Sequence, residues 1–142
     1  MEYIIGYYTF TIQQYVLHYI QHHYSIFHTH KNNHHKTYDR KDITIIIKEN
    51  SLYNNLDMYF YGNIFCILFN SFLFESNVIM FQLLIGYLSY YFHNEYHKSN
   101  SIWDNLRIFI YLKNKHQLHH IYPRKNHFLL DPTIDIIFGT YY

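Results

Sequence analysis

The chain has one cysteine, two prolines and no surplus of charge. A lone cysteine, Cys66, excludes an internal disulfide framework. It lies in an apolar run, where it reads as a small hydrophobe that is buried or faces lipid. The prolines, Pro123 and Pro132, mark irregular structure near the C-terminus. A formal net charge of +1, with no basic stripe interleaved with aromatics, gives no footprint for nucleic acid. No Gly-x-Gly-x-x-Gly offers a nicotinamide or flavin site. The N-terminus has neither a positive n-region nor a small-residue cleavage site, so it does not read as a secretory signal. Lys and Arg are missing over long intervals. None occurs in residues 1–30 or 49–97, and all eleven fall in 31–48 and 98–125.

The intervals empty of basic residues hold the apolar runs. One opens the chain, "MEYIIGYYTFTIQQYVLHYI", and predicts a helix over residues 3–17. The largest, "MYFYGNIFCILFNSFLFESNVIMFQLLIGYLSYYF", spans 58–92 and contains a single acid, Glu75. Glu75-Ser76-Asn77 reads as a turn, so 58–74 and 78–92 are expected to form a helical hairpin. At 1.5 Å per residue these helices would be about 26 and 22 Å long, short for an upright span of a roughly 30 Å bilayer core. The expected hairpin therefore crosses a thin membrane or stops partway, with both basic blocks on the cytosolic side. The mean hydropathy of −0.24 hides this, because it averages apolar segments with very polar ones. At 142 residues the chain is read as one domain, residues 1–142. The expected class is all-α: an integral membrane helical protein, an apolar hairpin with a cytosolic histidine-rich cap.

The enrichment in Ile, Asn, Tyr, Phe and Lys is what an AT-rich genome imposes. Histidine needs its own explanation, since thirteen are present and most are clustered. The groups are His18, His22 and His23; His28, His30, His34 and His35; His93 and His97; and His116, His119 and His120. Each contains a pair three or four residues apart, a spacing that puts two imidazoles on one helical face. Each also lies at the end of a hydrophobic segment or just beyond it, so all four are expected to meet at one membrane face as a metal site. Imidazole suits iron, zinc, copper and nickel alike, so ligand type leaves the metal open. His28 and His127 read as exposed polar residues.

The ordered boxes resemble the fatty acid hydroxylase/sterol desaturase superfamily of membrane di-iron enzymes. "HYIQH" and "HKNNHHKTY" are similar to its first two histidine boxes, "GYLSYYFHNEYH" to its Gly-Tyr helix ending in His-x-x-x-His, "KHQLHH" to its His-x-x-His-His, and "DIIFGTYY" to its closing segment. The resemblance implies His18, His22, His30, His34, His35, His93, His97, His116, His119 and His120 as ligands of two iron ions. It also implies O₂-dependent hydroxylation or desaturation of a fatty acyl chain, sphingolipid or sterol. Electrons would come from an external b-type cytochrome and its reductase, because no His-Pro-Gly-Gly haem signature is present. The location implied is the membrane, the endoplasmic reticulum in a eukaryote. Asp39, Glu95 and Asp104 are candidates to accept the second N–H of a ligand ring. The second box departs from the pattern, with three residues between His30 and His34 instead of two. Either a one-residue bulge restores the geometry or His28 takes the place of His30; at the first box His22 and His23 both fit. The chain is shorter at its N-terminus than the pattern, as in a minimal version. The alternative function is a membrane-anchored metal-binding protein, or a homologue without redox chemistry.

Overall fold

The computed structural model describes residues 1–24, 30–47 and 58–142. Among the described residues six helices run in order: α1 (Glu2–His23), α2 (His35–Thr37), α3 (Met58–Asn70), α4 (Ser76–Tyr96), α5 (Arg107–Ile121) and α6 (Thr133–Ile137). A π-helical turn, His30–His34, leads directly into α2. Among the described residues there is no strand; one isolated antiparallel bridge joins Tyr38 and Ile46.

The hairpin forms where the apolar run predicts it, with its turn shifted. α3 stops at Asn70, and α4 begins at Ser76 after the 71–75 connection. Asn70 ends its helix with a fully buried amide, which donates to Gln13 Oε1 (2.9 Å) and Gln82 Oε1 (3.0 Å) and accepts from Gln13 Nε2 (2.8 Å). The opening helix is longer than the expected 3–17. Its backbone continues without a breaker to His23 and turns extended at Tyr24.

α1, α3 and α4 pack against one another as a three-helix bundle. Small residues let the helices approach closely. A Cβ on Gly6 would lie 2.5 Å from Val78 Cγ1, and one on Gly86 would lie 3.2 Å from the Phe10 ring. The seams between helices are polar. Gln82 Nε2 donates to the Gly6 carbonyl (2.8 Å), Gln14 Nε2 to Asn63 Oδ1 (2.6 Å), and Asn63 Nδ2 to the Gly86 carbonyl (3.1 Å). The outer faces carry exposed Ile4, Ile5, Ile12, Ile64, Phe65, Leu68, Phe69, Phe72, Met80, Leu83 and Leu84. Buried amides thus share the bundle interior with Phe10, Cys66 and Val78, while the outer faces are largely apolar.

No helix among the described residues is long and apolar enough to cross a membrane. α3 has only 13 residues. α1 and α4 have 22 and 21, but the amides that stitch the bundle and the histidines that end both helices dilute their apolar content. The expectation of membrane helices read the absence of basic residues as apolarity along the whole run.

An apolar core underlies the other end of the bundle. Tyr38, Ile43, Tyr96, Phe109 and Leu129 are buried together, and Tyr96 Oη donates to the Leu129 carbonyl (2.8 Å). The loop after α2 reaches this core through two side-chain-capped turns. Asp39 Oδ1 accepts from the Lys41 and Asp42 amides, and Asp42 Oδ1 accepts from the Thr44 amide. At the C-terminus Asp131, just before the Pro132 N-cap of α6, accepts from the Thr133 amide (2.9 Å), and Gly139, with φ +67°, provides the left-handed residue after the helix.

Candidate metal centre

Histidines from five parts of the chain converge between the bundle and the apolar core. The last turns of α1 and α4 each present an i, i+4 pair. The ring centroids lie 5.0 Å apart for His18 and His22, and 5.1 Å apart for His93 and His97. α5 presents His116, His119 and His120 on one face. The π-helical turn and the start of α2 supply His30, His34 and His35.

The rings sort into two groups. His18, His22, His30, His35 and His119 form one, and His34, His93, His97 and His116 form the other. Within each, one nitrogen per ring lies within 4.8 Å of every other, and every member is buried. His120 lies where the groups meet. Its ring stacks on His35 at 4.1 Å and sits 4.9–5.1 Å from His34, His97 and His116. His30 and His34 stack at 4.9 Å with nearly parallel planes, one from each group.

The unusual spacing of the second box has a structural counterpart. A π-helical turn accommodates one more residue than an α-helical turn, and here it spans His30–His34. His30 and His34 thereby enter different groups without a break in the helix. His28 lies outside the described residues. At the first box, His22 enters the five-ring group, while His23 stacks on Tyr19 at 3.8 Å and bonds the Tyr19 carbonyl.

The three carboxylates expected to orient the rings are engaged elsewhere. Asp39 caps its own turn, Glu95 pairs with Lys98 and accepts from Ser101 Oγ (2.6 Å), and Asp104 pairs with Lys113 (2.8 Å). Backbone carbonyls do the orienting. His18 Nδ1 bonds the His127 carbonyl (2.8 Å), His97 Nδ1 the Ile43 carbonyl (2.9 Å) and His119 Nδ1 the Lys125 carbonyl (2.7 Å). A carbonyl only accepts, so Nδ1 carries the proton in each. In a neutral ring this leaves Nε2 as a lone pair, the tautomer a metal requires. The rings are neutral because they are buried. Desolvation pushes the pKa of His18, His34, His35, His93, His116, His119 and His120 well below the ordinary value, and neighbouring imidazoles push further in the same direction. His97 is lowered to about 3 by burial, against the opposing bond to Ile43.

His127 was expected to be exposed and is instead buried. Its ring lies 5.2 Å from His18, 5.4 Å from His119 and 5.8 Å from His22. Asp135 holds it there, because Oδ1 accepts from the His127 amide (2.8 Å) and from Thr140 Oγ1 (2.6 Å). The signal in the sequence was the apolar Phe128-Leu129-Leu130 that follows it.

Packing alone does not account for these rings. Three Nε2 pairs lie 3.0–3.1 Å apart: His18–His30, His34–His93 and His97–His116. A shared proton can satisfy such pairs. Ten further ring nitrogens, on His22, His35, His116, His119, His120 and His127, are buried with no hydrogen-bond partner. Each such group costs about 1–3 kcal/mol when unsatisfied, a heavy burden against the roughly 5–15 kcal/mol that stabilises a typical domain. Cations that accept one lone pair from each of the grouped rings His22, His35, His116 and His119 remove part of that cost. The pair distances also fit: at a right angle, nitrogens 3.0–3.1 Å apart lie about 2.2 Å from a shared ion, near the usual metal–imidazole length of about 2.0–2.1 Å. The chain carries buried histidine clusters able to bind metal.

No family model, curated protein or solved structure matches this chain.

Proposed function

We propose that the chain is an iron- and O₂-dependent oxidoreductase that hydroxylates or desaturates a membrane lipid. The observation that carries this reading is the pair of adjacent imidazole groups, five rings and four with His120 between them, at the end of a bundle whose exposed faces are apolar. Five nitrogens exceed the tetrahedral four of structural zinc, and neither group contains a cysteine or a carboxylate.

No amino-acid side chain removes hydrogen from an unactivated C–H bond at neutral pH; two bound irons would supply that oxidising chemistry. The chain's own part is positional. Carbonyls of Ile43, Lys125 and His127 fix three rings in the ligating tautomer. Tyr38, stacked on His97 at 3.9 Å, and the core beneath it exclude water. A groove of about 300 Å³ between α3 and α4, lined by Asn63, Ile64, Ile67, Leu83, Gly86, Tyr87 and Tyr90, is wide enough for an acyl chain. It ends at Tyr90, one helical turn before His93. Hydroxylation consumes O₂, two electrons and two protons and releases water, so an external donor is needed; a b-type cytochrome with its reductase fits that role. The apolar outer faces of the bundle support seating in a bilayer, entered from the side that carries the basic blocks, with the histidine cap cytosolic.

The test is metal content and turnover of the full chain. Purified in mild detergent from iron-replete cells, it should carry two irons and consume O₂ when given reductant and lipid. Zinc as the sole bound metal, with no lipid-dependent O₂ uptake, would leave a metal-binding protein without redox chemistry.

A further inference from the structure

We infer that a cavity beside the five-histidine group admits a small exogenous ligand, and that His127 hydrogen-bonds this ligand at the group. The inference rests on the metal reading above and assigns a role to a residue outside the ligand set. The cavity lies between α1, α4 and the C-terminal segment, with Thr11, Gln14, Tyr15, Ser89, His127 and Asp135 in its wall. Its volume is about 30 Å³, enough for one or two waters but not for an acyl chain. It is therefore distinct in size and place from the lipid-sized groove between α3 and α4.

Two independent orphaned groups point to a polar occupant. His127 is 3% exposed and neither ring nitrogen makes a well-formed hydrogen bond, although the Arg124 backbone lies beside the ring; Asp135 is fully buried and its Oδ2 makes none, with the Phe128 backbone beside the carboxylate. Both residues line the cavity. A buried polar atom without a partner is costly, and a site with room for water and several polar walls is where one is filled. His127 is the one histidine in that wall, and its ring packs on His18, His22 and His119, all of the five-ring group. Yet it stands outside the set whose nitrogens all approach within 4.8 Å. None of the five rings itself lines the cavity, so His127, with one side on the cavity and the other on those rings, is the link between the two. Its backbone is fixed on both sides, by Asp135 at the amide and His18 at the carbonyl. Both contacts are main-chain and survive replacement of the ring.

The test uses the full chain loaded with Co²⁺, whose visible bands report changes at the ion, titrated with sodium azide as the small-ligand probe. Wild type should bind azide with a clear spectral change. His127→Phe should hold the same cobalt per chain and bind azide about tenfold more weakly, the effect of losing one hydrogen bond to a charged group. His127→Gln, which keeps a donor, should fall between. Unchanged azide affinity in both variants, or no spectral response in wild type, overturns the assignment while leaving the metal reading intact. Loss of cobalt in both variants makes His127 a ligand and also overturns it. Failure of wild type to bind cobalt sinks the metal reading, and the role of His127 with it.

Discussion

The metal-free protein should be unusually sensitive to mild acid. Ten buried histidines have their pKa lowered, chiefly by desolvation: His18, His22, His34, His35, His93, His97, His116, His119, His120 and His127. The least lowered, His127, still titrates at about 4 in the folded state. Unfolded, each returns to about 6.5. Between those values the unfolded chain binds more protons, so stability is fully present above about pH 6.5 and is lost as the pH falls. At pH 5.5 each ring costs about 1.4 kcal/mol relative to neutral solution, and ten cost about 14 kcal/mol, which matches the full stability of a typical domain. The apo chain should therefore unfold between about pH 6.5 and 5.5, with cooperative uptake of most of ten protons. Circular dichroism of EDTA-treated protein in detergent, with proton uptake measured on the same samples, tests this. A folded apo chain at pH 5, or uptake of only one or two protons on unfolding, would show that the rings are solvated and would refute the burial argument. A metal that binds the assembled groups more tightly than the unfolded chain should move the transition to lower pH.

Further changes probe the bundle and the centre separately. Gly6→Leu drives a side chain into Val78 and should destabilise by about 1–3 kcal/mol; Val78→Ala in the same chain should recover much of that in thermal melts. Asn70→Leu strips Gln13 and Gln82 of a buried partner and should cost about 1–3 kcal/mol in detergent-based unfolding. His35→Ala removes a ring from the five-membered group and should lower bound metal by one ion per chain in elemental analysis, while His23→Ala, outside both groups, should leave it unchanged.

What was legible in the sequence is what depends on local spacing. The i, i+4 pairs at His18/His22 and His93/His97 lie on single helices, so their shared faces followed from helical geometry. The split of adjacent His34 and His35 into different groups, and of His30 from His34, depends on a π-helical turn, which the extra residue in the second box signalled only as one of two alternatives. The orienting groups were missed for a physical reason. Sequence reading favours carboxylates because they are conspicuous, whereas the acceptors here are carbonyls of Ile43, Lys125 and His127, and every residue has one. Their placement depends on contacts far apart in sequence. Ile43 is held by its amide donating to Gln117 Oε1 (2.8 Å), 74 residues away. The same limit hid His127, whose burial is set by Asp135 and α6. The polar seam was not legible because Gln13, Gln14, Asn63, Asn70 and Gln82 look like interruptions of an apolar run until each is seen to pair across the seam.

Bundle packing and the metal centre share one helical register. On α1 the row Gly6, Phe10, Gln14, His18, His22 advances by four residues at a time, a single ridge of the helix surface. Its first members meet α4 and its last two enter the five-ring group. On α4 the row Val78, Gln82, Gly86 meets α1 and α3, and the same helix then delivers His93 and His97 to the four-ring group. The close Gly6–Val78 contact and the Gln82–Gly6 bond therefore fix how far α1 can rotate or slide against α4. That fixes how the first group sits against the second. One residue inserted after Gln14 would leave the bundle seam in place but rotate His18 and His22 by about 100°, away from His30, His35 and His119. The polar seam is accordingly part of the ligand-positioning apparatus, which gives a physical reason for buried amides where aliphatic side chains would pack as well.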